Sequence, residues 1–173
     1  MIYEFGSIID CRKDPSIDHF VLSLGIDGKD RVMYYVVTSR TYRAFEKLCN
    51  FFNSNCISAK CAGKHFEHEF KEKDENGEEK KIIPVNLSDA FFLSQKTYSL
   101  RLTEDSMIVI NSDPKTKEVK TFDLLRKEGF AISADKLSPA DKQRLYTHIK
   151  TSKNISPNAL NIIGKNFNSL KVK

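Results

Sequence analysis

The sequence predicts a mainly β, α+β fold: a small, partly open β-barrel with one inserted helix and further helices at the C-terminal end. Three observations carry this. Six to eight short β-branched or aromatic runs are punctuated by Gly, Asn, Asp and Pro. One stretch of helical period interrupts them, without the regular strand–helix alternation of a layered parallel fold. Two Ser-Pro helix starts then follow near the C-terminal end.

Taken in order, residues 7–10 form a first strand with Gly6 easing the approach, and residues 10–15 form a polar loop. Residues 20–24 and 32–37 read as a hairpin whose turn is bracketed by Gly25 and Gly28. Consecutive apolar residues Val36 and Val37 imply burial on both faces. Beyond Arg40 the period changes: Tyr42, Phe45, Leu48, Cys49 and Phe52 mark one face of a helix. Phe66, His68 and Phe70 then alternate with charged residues. Asn76-Gly77 supplies a turn and residues 82–87 a return strand, which Pro84 assigns to an edge. The acidic tip of this hairpin, 72–79, repels phosphate. Residues 97–102 and 107–110 are further strands, 111–114 a turn, and 118–122 a segment expected to pair back. Ser138, Pro139 and Asp141 start a helix whose Leu145 and Ile149 pack inward. Ser156-Pro157 starts another, expected to end near Gly164. The division expected is residues 1–130 for the barrel, with hairpin 64–87 inserted, and 131–173 for a basic helical extension packed on it.

The net charge of +5 is uneven: residues 131–173 contribute +6 and the remainder −1. A basic segment attracts phosphates or an acidic partner, although a solvated lysine-rich helix face carries the same signature. No apolar run approaches the roughly 18 residues of a membrane span, and MIYEFGSIID lacks a secretory pattern, so a cytoplasmic location without membrane contact is expected. Cys11, Cys49, Cys56 and Cys61 are expected to be reduced. Cys49, Cys56, Cys61, His65 and His68 are zinc-competent residue types, but they lack the tight Cys-x2-Cys knuckle. No metal or other cofactor is expected.

The chemistry-bearing cluster surrounds the first hairpin. Arg12 and Lys13 lie in the loop before it, His19 opens its first strand, and Thr38, Ser39 and Arg40 close its second. Histidine serves as acid or base near neutral pH, arginine grips two phosphate oxygens, and hydroxyls orient the phosphate. Thr38-Ser39 also suits an N-cap for the following helix, and the two roles are compatible because a helix N-terminus attracts anions. Most rings, Tyr34, Tyr35 and Tyr98 among them, sit in apolar runs that suit core packing; Phe91-Phe92-Leu93 followed by Ser94-Gln95-Lys96-Thr97 is the one place where rings meet polar, basic residues. Arg12, Lys13, Lys96 and Arg101 are the expected nucleic-acid contacts. No Gly-rich phosphate loop, Gly-x-Ser-x-Gly elbow or His-Glu-x-x-His helix occurs, which disfavours nucleotide hydrolases, serine hydrolases and zinc proteases.

Gly6-Ser-Ile-Ile9, His19-Phe-Val-Leu-Ser23 and Val36-Val-Thr-Ser39, with Phe92, Leu93 and Ser94 in a later strand, resemble the ribonuclease toxins of the MazF/PemK/Kid type. The resemblance spans roughly residues 5–110 and implies an SH3-like barrel that cleaves single-stranded RNA without metal. It also implies a homodimer neutralised by an antitoxin. Thr38 and Ser39 match the family's strand end. Ile17-Asp18-His19 stands where those toxins carry an arginine, so His19 or Arg12 takes that place. The alternatives are a non-catalytic barrel acting as a protein-interaction or inhibitor module, and a nucleic-acid binder using its basic helices.

Overall fold

The computed structural model describes residues 3–38, 70–73, 79–82, 89–93 and 106–170. Its centre is a five-stranded antiparallel sheet in the order β8-β3-β2-β1-β9. The strands are β1 (Ser7–Asp10), β2 (Phe20–Ile26), β3 (Arg31–Val37), β8 (Lys115–Glu118) and β9 (Ile132–Lys136). Two separate ladders join β4 (Phe70–Lys73) to β5 (Glu79–Ile82), and β6 (Ala90–Leu93) to β7 (Ser106–Val109). Three helices are described: α1 (Val119–Lys127), α2 (Pro139–Thr151) and α3 (Pro157–Ser169).

Strand periodicity sorts the side chains onto two faces. Ile8, Leu22, Tyr35 and Val37 point to one face, where α2 and α3 bring Leu145, Ile149, Ile163 and Phe167 against them. Ile9, Val21, Val32 and Tyr34 point to the other, which α1 covers with Phe122. Phe122 is fully buried between the rings of Tyr3 and Tyr34, at 5.8 and 5.7 Å between centroids. The double-sided burial read from Val36 and Val37 is therefore met by helices on both faces. The chain is a mixture of strand and helix as expected, but the described strands do not close into a barrel.

The β2–β3 hairpin turns tighter and later than its glycines suggest. Asp27 builds the turn: Oδ1 accepts from the N–H groups of Lys29 and Arg31, both at 2.9 Å, and Oδ2 accepts from Arg31 Nε. Asp30 takes the left-handed conformation. Gly25 instead lies inside β2 at a bulge, with φ of +99°. There Asn166 of α3 donates to both flanking carbonyls, Leu24 at 3.0 Å and Ile26 at 3.1 Å.

Residues 118–122, expected to pair back, do so only up to Glu118. From Val119 the chain is helical, with Arg126 and Lys127 at the negative end of the helix dipole and Gly129 (φ +75°) ending it. The N-terminus of α1 has no side-chain cap, which removed the usual start signal. The return strand of the acidic hairpin runs over Glu79–Ile82, earlier than 82–87; its turn lies outside the described residues. Ser138 and Ser156 cap their helices as expected, accepting from Asp141 N at 3.1 Å and Ala159 N at 3.2 Å. α3 continues through Gly164 to Ser169, because that glycine leaves room for the Tyr146 ring, which stacks on Phe167 at 4.2 Å.

The boundary near residue 131 falls at the start of β9, which pairs with β1, while α2 and α3 share the core of the sheet. The expected helix at 42–52, the Cys49–His68 group and the strand at 97–102 lie outside the described residues. Among the described residues no helix is long and apolar enough to cross a membrane.

Candidate functional site: the strand ends around His19 and Thr38

β1, β2 and β3 present one common end. Asp10 is paired with Phe20, and Phe20 with Val37, so His19 and Thr38 each lie one residue beyond the same registered pair. Thr38 then pairs with Met107 of β7, donating its N–H at 2.9 Å and accepting from Met107 N at 3.0 Å. This bridge ties the β6–β7 ladder to the end of β3. The imidazole of His19 belongs to an exposed residue, and its backbone carbonyl accepts from Cys11 N at 3.1 Å.

The loop that delivers His19 is held by a buried carboxylate. Asp14 accepts from Ser16 N at 2.9 Å, from Ser16 Oγ at 2.8 Å and from Lys117 Nζ at 3.4 Å. Burial pushes the Asp14 carboxyl upward, but the Ser16 bonds and the Lys117 ammonium outweigh it and leave it below the ordinary carboxylate range. Lys117 also donates to Ser16 Oγ at 2.8 Å, so β8 anchors the loop from across the sheet. Asp18, in the left-handed region at φ 50°, turns the chain immediately before His19. The Cys11 thiol is inert in this setting: burial first, then the negative Asp14 and Asp10, push it up to about 12.

Arg12 is committed locally. Its Nε and Nη2 donate to the two Asp10 oxygens at 3.0 and 2.9 Å, and its guanidinium lies 4.4 Å over the Phe20 ring. The pair is a bidentate ion pair with one charge cancelling the other, on an otherwise polar rim. Sequence reading placed Arg12 near a phosphate but missed Asp10 as its partner; the Asp-x-Arg spacing at a strand end was the available signal. Lys13 is exposed on the same loop. Register thus sets His19 and Thr38 at one sheet end, with Arg12 over Phe20 of that end and Lys13 exposed on the adjoining loop, whereas Ser39, Arg40, Lys96 and Arg101 lie outside the described residues. Among the described residues no group of three or more His, Cys, Asp or Glu side chains is arranged to hold a metal ion.

The fold and rim together define a class: an antiparallel sheet covered by helices on both faces, with a polar strand end that a hydrogen-bonded loop presents to solvent. No protein-family model, no curated protein and no solved structure matches the chain.

Proposed function

We propose that this chain is a toxin-like endoribonuclease that cleaves single-stranded RNA without metal, on an SH3-like, partly open barrel. One observation carries the reading: the β2–β3 register brings His19 and Thr38 to the same solvent-facing end, from which the chain runs directly into Ser39 and Arg40. In the reaction, His19 removes the proton of a ribose 2′-hydroxyl, whose oxygen attacks the adjacent phosphorus. Thr38, Ser39 and Arg40 stabilise the pentacoordinate phosphate. The P–O5′ bond breaks and the 5′-oxygen takes a proton from water while the His19 imidazolium returns its own to solvent, and a 2′,3′-cyclic phosphate remains. Lys13, Lys96 and Arg101 serve the RNA backbone. An antitoxin and a second copy of the chain are the partners this function entails.

The test is incubation of the full chain with mixed single-stranded RNA in EDTA. Cleavage with cyclic-phosphate ends is expected, reduced by roughly 10²–10⁴ in His19→Ala, the range for a lost acid–base group. Intact RNA, or cleavage unaffected by His19→Ala combined with Arg40→Ala, rules the activity out.

A second reading, a non-catalytic RNA- or protein-binding module, is favoured by one specific feature. The Asp10 carboxylate already occupies Arg12 in a bidentate pair. Asp10→Asn distinguishes the two. It releases the guanidinium, so a pure RNA binder gains affinity and salt dependence without gaining cleavage.

A further inference from the structure

A second concave site lies on α2, where that helix faces β6. Its volume is about 400 Å³, within the range of small-ligand pockets. Two neighbouring i, i+4 rows of α2 line it. Gln143, Thr147 and Thr151 supply an amide and two hydroxyls, and Arg144 and His148 supply a guanidinium and an imidazole. Phe91 of β6 closes the apolar side, edge-on to the His148 ring at 6.2 Å and beneath the Arg144 guanidinium at 5.5 Å.

Three features give the cleft its chemistry. Among the described residues that line it there is no carboxylate. Asp141, one turn away, engages the Nη1 of Arg144 at 2.7 Å, and a guanidinium has five N–H donors in all. His148 Nε2 is sealed from solvent and has no hydrogen-bond partner. An orphaned buried polar atom of this kind costs about 1–3 kcal/mol, and a turn of the imidazole toward the cleft would bring it an anion oxygen as partner. The cleft also lies close to the strand-end site. Thr38 pairs with Met107, and Met107 with Phe92, so two strand spacings, about 10 Å, separate Thr38 from β6.

We infer that this cleft binds one nucleotide unit, with its phosphate at Arg144 and His148, its hydroxyls and base edge along Gln143, Thr147 and Thr151, and its apolar surface against Phe91. The inference rests on the RNA reading above and extends it: the cleft is the subsite for a nucleotide adjacent to the one held at Thr38. The required phosphate belongs either to a free mononucleotide or to an RNA chain.

The full chain is titrated with 5′-AMP, adenosine, inorganic phosphate and a 2′-O-methyl RNA trimer that cannot be cleaved. Calorimetry gives affinity and the His148 ring resonances report the site. The monophosphate and the trimer are expected to move the His148 resonances, with adenosine and inorganic phosphate each at least tenfold weaker than 5′-AMP. Arg144→Gln, at an exposed position, is expected to lower nucleotide affinity at least tenfold with an unchanged melting temperature. Trimer binding identifies an RNA subsite; monophosphate binding without the trimer overturns the RNA assignment. Silent His148 resonances with every ligand, or affinity indifferent to the phosphate or to Arg144→Gln, overturn the site altogether. Nucleotide binding that persists in His19→Ala while RNA stays uncleaved by the native chain removes the nuclease function and leaves the cleft standing.

Discussion

Gly25→Ala tests how the helices are fastened to the sheet. Gly25 adopts φ +99°, a conformation costing a residue with a β-carbon about 1–3 kcal/mol. A methyl group there would also stand 2.5 Å from Cγ of Asn166, so the amide has to move. Moving it breaks the bonds to Leu24 O and Ile26 O, worth about 1 kcal/mol each. The expected loss is therefore about 3–5 kcal/mol, a large share of the ~5–15 kcal/mol that holds a domain together. At ~2–4 °C per kcal/mol for a chain of this size, the midpoint falls by roughly 12 °C. Urea unfolding followed by circular dichroism measures the free energy and a thermal scan the midpoint, alongside Asn166→Ala and the double variant. Because both single changes forfeit the same two bonds, the double variant should be about 2 kcal/mol less destabilised than their sum. A loss below about 1 kcal/mol for Gly25→Ala, or strict additivity, would refute the bulge-and-amide clasp.

Three further outcomes are expected. Ser138→Ala and Ser156→Ala should each cost about 1 kcal/mol in the same unfolding assay, and Asp at either position should restore most of it, since each hydroxyl satisfies one N–H at its helix start. Cys11 should resist iodoacetamide at pH 8 in the native chain and react only in urea, as followed by peptide mapping; native labelling at the rate of a free thiol contradicts its burial. Asp27 is raised by burial but lowered more by the Arg31 and Lys29 bonds, so its carboxyl titrates below its usual value. Its stabilisation is complete above the unfolded pKa of about 4 and disappears as pH falls through the lower folded value. Asp27→Asn should flatten that acid limb, and an unchanged limb would show that the turn does not depend on the charge.

What the sequence made legible was whatever local chemistry specifies. β1 and the β2–β3 hairpin follow from short β-branched runs, and the starts of α2 and α3 follow from Ser-Pro pairs that act within three residues. α1 escaped because its start has no cap and its first residues, Val119 to Thr121, include two β-branched side chains that suit a strand equally well. β9 escaped because Ile132-Ser-Ala-Asp-Lys136 has little apolar signal of its own; it is a strand because β1 offers it an edge. Gly25 was read as punctuation, yet its role depends on Asn166, 141 positions away, and no local rule reports that. That His19 and Thr38 share one sheet end was legible through strand register. The charge balance of that end was not, since Lys117 reaches Asp14 from β8.

The two outer strands of the central sheet bear on how copies of the chain can associate. β8 reads Lys-Thr-Lys-Glu and is mostly exposed, and such charged margins oppose the docking of another strand. β9 joins β1 through an irregular register between Ile8 and Ile9, which twists that margin out of line with a flat neighbour. Lateral growth of the central sheet into a continuous intermolecular ribbon is thus penalised on both flanks.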